Sequence, residues 1–219
     1  LFAAIRVQDP GALEYVLKNH PRLPIHLVLE TGNHNLEGIK SWIQYGKGQI
    51  KRVSLSIQIP KTRLASYISQ LDVEVEILGL GPILLLYTPR HLLSKMPIEY
   101  QAPIENLASS EEDHHANFRT LENSHGTFLF HSKDYCLLEK TEELKGMGLS
   151  AFRLDFRLLG HFDDILKQEK RVHYQAIQGI LNEISLGVSP LLGAKNYLEN
   201  YPRKVTACFY NANATDVIF

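Results

Sequence analysis

The sequence predicts an α/β fold in which strands and helices alternate. In the first ninety residues, short apolar runs alternate with segments whose apolar side chains recur at helical spacing. Short links that contain Pro, Gly or Asn separate these segments, as in parallel βαβ units. A repeat of about 25 residues fits either a doubly wound sheet or a (β/α) barrel.

Each element follows from its local pattern. Strands are predicted at 3–7, 25–29, 50–57, 73–78, 127–130 and 150–158, and helices at 12–18, 36–45, 61–70, 135–145 and 163–185. Within the helix 36–45, Ile39, Trp42 and Ile43 lie on one apolar stripe. The tail 196–219 is predicted to form a short helix followed by a strand.

Composition excludes several classes of protein. The chain has 219 residues, of which 44% are hydrophobic and 21% charged, so it is neither disordered, collagen-like nor a disulfide scaffold. The net charge of -1 gives no overall field that favours nucleic acid or an anionic membrane. The glycine patterns of dinucleotide-binding and P-loop folds are missing from the sequence.

The stretch 95–123 differs from its surroundings, because it is polar and shows no clear period. We expect a long loop or insertion there. The predicted organisation is therefore βα units at 1–94, the insertion or long loop at 95–126, the last βα units at 127–195, and the start of a C-terminal extension at 196–219. Both ends of the sequence are apolar, so we expect a piece of a longer chain.

Two cysteines, Cys136 and Cys208, are too few for a disulfide framework or, by themselves, for a zinc site. Reduced thiols in a cytoplasmic protein are the expectation. Asp113, His114 and His115 could contribute to a metal site, but no further spaced ligands accompany them, and no metal is predicted.

Polar residues at predicted strand ends are the first candidates for a site, because ligands of parallel α/β folds bind at the carboxyl ends of the strands. Arg153, Asp155 and Arg157 point to one side of a strand, since side chains alternate with a period of two. Charges on an apolar strand must either pair with one another or meet a ligand. Both interpretations are open at this point.

The motif His131-Ser132-Lys133-Asp134 falls at a predicted strand-to-helix junction. It could supply a nucleophile and a base. Alternatively, Ser132 or Asp134 could cap the following helix, which is the interpretation we favour.

Several segments resemble the collagenase-like peptidase family, peptidase family U32. The similar segments, in chain order, are Asp9-Pro10-Gly11, Ile25 to Asn35, Arg52 to Ser56, Gly81 to Ser94, Asn123 to Cys136 and Leu149 to Arg157. The resemblance implies a (β/α) TIM-barrel-like fold that is partial here, with about strands four to eight, their helices and a polar insertion.

The resemblance implies one of two activities. Some members are classed as peptidases, and others support hydroxylation of RNA or ubiquinone with an iron–sulfur cluster on four cysteines. At two of the cluster positions this sequence has Leu84 and His91, so no cofactor is predicted. The leading hypothesis is a cluster-free, collagenase-like peptidase, a hydrolase. The alternatives are an accessory protein in RNA or ubiquinone modification that has lost the cluster, and an inactive fragment.

Polar and charged side chains at the strand ends of this barrel-like fold supply the site residues. The catalytic candidates are Glu30, Asp155 and Asp134, and the substrate-binding candidates are Asn35, Arg90, Arg157 and His26. A protein or peptide is the expected substrate, with RNA as the second candidate, and no membrane is involved. The remaining barrel strands would come from the rest of the same chain.

Overall fold

The computed structural model describes residues 3–30, 33–94, 108–109, 117–156, 166–185 and 191–212. The strands are β1 (Ile5–Val7), β2 (Ile25–Val28), β3 (Ile50–Ser54), β4 (Glu74–Thr88), β5 (Ala108–Ser109), β6 (Asn117–Asn123), β7 (Gly126–Cys136), β8 (Ala151–Leu154) and β9 (Val205–Thr206). The α-helices are α1 (Pro10–Asn19), α2 (Leu36–Tyr45), α3 (Lys61–Gln70), α4 (Thr141–Gly146), α5 (Leu166–Ser185), α6 (Leu191–Glu199) and α7 (Cys208–Asn211). A short 3-10 helix spans Leu138–Lys140.

The described strands form one sheet in the order β1-β2-β3-β4-β7-β6-β5, with β8 paired to β4 and β9 paired to β7. Strands β1, β2, β3, β4 and β8 pair in parallel, whereas β7 pairs antiparallel with β4 and β6. The predicted α/β class is confirmed. Among the described residues, no helix has the length and apolar character needed to cross a bilayer.

Helices α1 and α2 begin where the sequence supplies a capping side chain, whereas α3 begins after Pro60 without one. The Asp9 carboxylate accepts a hydrogen bond of 2.8 Å from the Ala12 backbone N–H at the start of α1. The Asn35 side chain accepts one of 2.9 Å from the Glu37 N–H at the start of α2. Helices α2 and α3 span the residues predicted from their apolar periodicity.

Two apolar cores hold the chain together. The first lies between the parallel strands and helices α1, α2 and α3, where Leu13, Ile39 and Leu64 are buried. The second joins β4 to the C-terminal helices through Leu80, Leu138, Phe156, Ile177, Ala194 and Tyr201. The predicted buried stripe of the longest helix is confirmed at Ile177, while the side chain of Ile184 lies outside the described residues.

Strand β4 is much longer than the predicted 73–78, because two glycines inside it do not end the strand. A Cβ on Gly79 would come within 2.7 Å of the Phe152 ring, and one on Gly81 within 2.8 Å of the Asp155 carbonyl oxygen. These glycines therefore allow β8 to approach β4 closely. Beyond them, the second half of β4 leaves β8 and pairs with β7.

The region after residue 116 departs most from the prediction. Residues 117–123, expected in a loop, form β6, and the strand predicted at 127–130 extends to Cys136. The helix expected at 135–145 is reduced to the 3-10 turn and α4, because Tyr135 and Cys136 pair with β4. His131 to Asp134 therefore lie within β7, and the helix-cap interpretation of this motif is wrong.

The C-terminal part is more helical than predicted. Helix α5 is described from residue 166, and residues 157–165 lie outside the described residues. Helix α6 begins before the predicted residue 196, and α7 follows the predicted strand, which is β9. Strand β8 ends at Leu154 rather than at 158.

Candidate functional site

One face of the parallel sheet carries charged side chains in adjacent strands. The pairing places Arg6, His26, Arg52 and Glu74 in one row across β1 to β4. Because side chains alternate along a strand, the neighbouring apolar residues point to the opposite face and pack against the helices. This polar side of the sheet is called the charged face below.

Glu76 is the most enclosed carboxylate of the charged face, with only 4% of the residue exposed. The Arg6 guanidinium donates to both of its oxygens at 2.9 and 3.1 Å. The Ser54 hydroxyl donates to Oε1 at 2.5 Å and accepts from Arg6 at 3.0 Å. Burial raises the pKa of Glu76, but the hydrogen bonds from Ser54 and Arg6 and the charges of Arg6 and Arg153 outweigh burial and lower it.

His26, predicted to bind substrate, lies on this face at the start of β2. Burial lowers its pKa, and the cationic Arg52 and Arg6 lower it further. Its side chain lines an open cavity of about 850 Å³ with Lys51 and Glu74. This cavity lies at the amino ends of the strands, opposite the edge where ligands of parallel folds usually bind.

A second charged group lies at the carboxyl ends of the strands and joins two of the predicted catalytic residues. The Arg153 guanidinium pairs with Glu30 through one terminal nitrogen and with Asp155 through the other, the latter at 3.1 Å. Arg153 has 19% of its side chain exposed. Within the described residues, its buried Nε has no hydrogen-bond partner. Glu30, Arg153 and Asp155 are called the edge cluster below.

Ion pairs between non-adjacent strands show that the charged face is concave. Arg6 on β1 contacts Glu76 on β4, and Arg153 on β8 contacts Glu30 just after β2. In each case two strands intervene, so a flat sheet would separate the backbones by about 14 Å. The contacts are possible because the sheet curves toward this face.

A His–Ser pair accompanies the edge cluster on the loops after β2 and β3. His34 Nε2 lies 3.0 Å from Ser56 Oγ, and the Tyr67 hydroxyl donates to the His34 carbonyl oxygen at 2.7 Å. Ser56 is only 2% exposed, and its Oγ also accepts from the Gln58 N–H at 3.2 Å. The pair therefore fixes the conformation of both loops.

The other predicted binding residues are not gathered at the edge cluster. The Asn35 side chain is occupied by the cap of α2. Arg90 is exposed after the end of β4, where its carbonyl oxygen accepts from the Thr127 hydroxyl at 2.8 Å. Arg157 lies outside the described residues.

Asp134, the third catalytic candidate, is 1% exposed and belongs to another group of side chains. The Tyr201 hydroxyl donates to Oδ2 at 2.7 Å, and Arg203 Nε donates to Oδ1 at 2.8 Å. Burial and the Asp134 carboxylate raise the pKa of Tyr201. These contacts tie the C-terminal segment to β7.

The cysteines do not fit the iron–sulfur cluster that the family resemblance implies. Four thiolates are required, and this chain contributes Cys136 and Cys208. Burial raises the pKa of Cys136 to about 11, which favours the neutral thiol. Leu84 lies exposed in β4 and His91 lies in the loop that follows. Among the described residues, no group of three or more His, Cys, Asp or Glu could hold a metal ion.

Sequence reasoning missed Arg6, Ser54 and Glu76 as members of the polar network. A signal was available, because Arg52, Ser54, Glu74 and Glu76 are polar at alternate positions of otherwise apolar strands. The partners could not be foreseen, since Arg6 and Glu76 are separated by 70 residues in the chain.

Comparison with known proteins supplies a family and three relatives. A family model described as "Peptidase family U32" matches residues 2–216. "tRNA hydroxylation protein P" of Escherichia coli (strain K12) is 24% identical over 203 residues, covering 70% of this chain and 44% of that protein. Its Haemophilus influenzae counterpart of the same name is 22% identical over 206 residues, with coverages of 70% and 44%.

"tRNA hydroxylation protein P2" of Bacillus subtilis (strain 168) is 22% identical over 156 residues, covering 67% of this chain and 49% of that protein. The chain therefore spans about half the length of these relatives. No solved structure matches the chain.

Proposed function

The chain belongs to peptidase family U32, and within that family we propose that it takes part in tRNA hydroxylation rather than in proteolysis. One observation carries the proposal: three curated relatives, each matching about 70% of this chain, bear names that refer to tRNA hydroxylation. These names favour RNA over ubiquinone as the modified molecule. They also favour a role in RNA modification over the peptidase activity that was the leading hypothesis from the sequence.

The geometry supports a binding role for the charged face. We propose that the five parallel strands are part of a (β/α) barrel whose interior is this face, because both the strand order and the curvature fit a barrel wall. The edge cluster would then lie at the barrel mouth. Arg153 is its central group, since its guanidinium is already oriented by Glu30 and Asp155.

Arg153 has the chemistry to hold a neutral carbonyl or hydroxyl oxygen of a nucleotide. Its two terminal nitrogens are paired with Glu30 and Asp155, so its Nε is the N–H group without a partner among the described residues. The two carboxylates position the Arg153 guanidinium through ion pairs. His26 and Glu76 lie on the same face, nearer the amino ends of the strands. Asp134 instead joins β7 to the C-terminal segment through Tyr201.

A peptidase mechanism has weaker support from the geometry. His34 and Ser56 have the spacing of a base and a nucleophile, but the serine is buried and its oxygen is held by a backbone N–H. Glu30 and Asp155 are both ion-paired with Arg153, which lessens their ability to act as a general base.

The proposal assigns an accessory, substrate-holding role to this chain, because its two cysteines do not make a cluster site. We therefore derive no redox step from its residues. The chain would hold RNA for hydroxylation that depends on groups it does not contribute.

Deleting the gene in its own organism and analysing nucleosides of total tRNA by mass spectrometry tests this function. We expect the deletion to lower a hydroxylated nucleoside. The wild-type gene and the control Lys18→Gln, on the exposed surface of α1, should restore it, whereas Arg153→Gln should not. An unchanged nucleoside profile, together with turnover of casein or gelatin that Glu30→Gln and Asp155→Asn abolish, would instead establish a peptidase.

A further inference from the structure

The segments at the amino ends of the parallel strands carry more basic than acidic side chains. Because β1, β2, β3, β4 and β8 run in the same direction, the segments that precede them lie at the end of the sheet opposite the edge cluster. Residues 14–24, 43–52, 70–74 and 145–150 supply this end, and they contain six Lys or Arg side chains and three Asp or Glu side chains. The corresponding segments at the carboxyl ends, 8–12, 29–37, 55–63 and 153–156, contain three bases and four acids.

Two of the three acids at the amino end are paired within the chain. Glu14 forms an ion pair of 2.7 Å with Lys18, and Glu74 pairs with Arg52. The third acid, Asp72, is exposed. Within the described residues, four exposed bases at this end form no ion pair: Arg22, Lys47, Lys51 and Lys145. The charge that this end presents to solvent is therefore positive.

Compensation of helix dipoles accounts for only part of this excess. Lys18 and Lys145 lie in the last turns of α1 and α4, where a positive charge is favourable. Arg22 lies in the turn between α1 and β2, and Lys51 lies in β3. These two side chains are outside the helices, so the helix dipoles do not explain why they are basic.

One side chain holds together the two turns that carry Arg22 and Lys47. The Gln49 amide donates to the carbonyl oxygens of His20 and Leu23, both at 2.7 Å. The turns are therefore fixed relative to each other before any ligand arrives. A ligand that contacts both turns orders side chains but no backbone, which lowers the cost of binding.

Lys47 has a backbone conformation that suits other residues better. Its φ is 48° and that of Gly48 is 81°, and the Gln49 N–H closes the turn by donating to the Gly46 carbonyl oxygen at 2.8 Å. A turn with positive φ at both central positions favours Asn or Gly at the first of them. The backbone therefore does not explain a lysine there, whereas a ligand for its exposed ammonium group would.

We propose that the turns 20–24 and 46–51, called the amino-end surface below, bind the phosphate backbone of the tRNA through Arg22, Lys47 and Lys51. This inference rests on the proposed function. It separates two roles, because contacts to phosphate position a nucleic acid whereas contacts to a base read its sequence. The amino-end surface would make the first kind of contact, and the Arg153 Nε of the edge cluster would make the second.

The two ends of the sheet are close enough for one RNA to reach both. Strands β2 and β3 have four and five residues, which corresponds to about 13–17 Å from end to end. Successive phosphates of a stacked strand are about 3.4 Å apart along its axis, so about five nucleotides cover this distance. An acidic peptide is a weaker match, because a nucleic-acid duplex has about twice the charge density of an extended peptide with one charge per residue.

Fluorescence anisotropy of a labelled tRNA transcript, measured over a range of salt concentrations, tests the amino-end surface. Arg22→Gln, Lys47→Gln and Lys51→Gln should each weaken binding and lower the slope of log affinity against log salt by about one, because each removes one phosphate contact. The triple variant should lower the slope by about three. Lys195→Gln is the matched control, since Lys195 is exposed on α6, and it should leave the slope unchanged.

Lys47→Asn distinguishes a binding role from a structural one. Asparagine suits the positive φ of this turn, so thermal unfolding of the variant should occur at the temperature of the wild type or above it. The variant should nevertheless lose the same salt dependence of tRNA binding as Lys47→Gln. A variant that unfolds at a lower temperature but binds tRNA with unchanged affinity would show that Lys47 supports the turn, and would overturn the inference.

The outcomes separate this inference from the proposed function. If the wild type binds tRNA and the triple variant binds it equally well, the amino-end surface is not the docking site, while the function in tRNA hydroxylation still stands. If the wild type binds no tRNA, or binds poly-glutamate as tightly as tRNA, the assignment of RNA to this surface is overturned. The nucleoside analysis of the gene deletion then decides the function independently.

Discussion

The charged face and the antiparallel ribbon, which consists of residues 84–88 of β4 with β6 and β7, belong to one sheet but differ in which side chains are exposed to water. On the charged face, the buried Ser54 and Glu76 are satisfied by hydrogen bonds with each other and with the partly exposed Arg6. On the ribbon, Leu85 and Tyr87 are placed where water is present. The first arrangement pairs polar groups with one another, whereas the second leaves apolar side chains in contact with water.

Strand β4 makes this contrast sharp because it contributes to both regions. Its first half carries the buried Glu76 and its second half the exposed Leu84 to Tyr87. The change from buried to exposed occurs after Ile83, beyond Leu80, where pairing with β8 stops and pairing with β7 continues. The environment of a residue on this strand is therefore set by its neighbours in the sheet.

The largest expected effect comes from breaking the buried network. Glu76→Ala removes the carboxylate that accepts from Arg6 and Ser54, and because the Arg6 side chain is 42% exposed, the free energy of unfolding should fall by about 1.5–3 kcal/mol. Glu74→Ala, on the same strand but with 54% of its side chain exposed, should cost at most about 1 kcal/mol. Urea unfolding of both variants measures the difference, and equal losses would contradict the contrast.

A smaller loss is expected where β4 and β8 touch. Gly79→Ala places a methyl group against Phe152 and should destabilise the chain by about 1–3 kcal/mol. The same change at Gly179, inside α5 with open space around it, should instead stabilise by about 0.5–1 kcal/mol. Thermal unfolding distinguishes the two signs. A stabilised Gly79 variant would show that the strands can separate.

A smaller effect is expected from the titration of His26, because the pH dependence of stability tests whether this side chain is buried on the charged face. Its folded pKa is lowered, so protonation favours the unfolded chain. Stability should be complete above the unfolded pKa of about 6.5 and decline as the pH falls below it toward the folded value. The variant His26→Gln should lose less stability than the wild type between those pH values. Parallel curves in urea titrations would argue against burial of this ring.

The smallest effect is expected on the ribbon. Leu85→Ala removes an exposed side chain and should change stability by no more than about 0.5 kcal/mol. Leu80→Ala, five residues earlier and fully buried, should cost about 2–5 kcal/mol. A large loss at Leu85 would mean that the ribbon is already covered in the free protein.

Prediction from sequence succeeded where local signals agreed. Helices α2 and α3 were placed correctly because apolar periodicity defined their spans. Glu30 and Asp155 were selected from strand ends, and the structure joins them through Arg153. The Arg153–Asp155 ion pair was one of the two interpretations left open.

Prediction failed where distant segments decided the structure. Gly79 and Gly81 resemble strand terminators, but they lie inside β4 because β8 needs the space. Tyr135 and Cys136 have a helix-like context, yet pairing with β4 keeps them extended. Such errors arise because strand pairing depends on residues far apart in the chain.

By itself, the sequence determined the α/β class, the bounds of the early helices and the family resemblance, because periodicity, caps and short motifs are local properties. Only the tertiary structure decided which charges meet and which apolar residues remain exposed. Curvature of the sheet brings Glu30 to Arg153 across two intervening strands. The antiparallel pairing of β4 with β7 places Tyr87 beside Phe128, away from the core. The Glu30–Arg153 and Tyr87–Phe128 contacts each join segments that are far apart in the chain, so a local sequence pattern does not predict them.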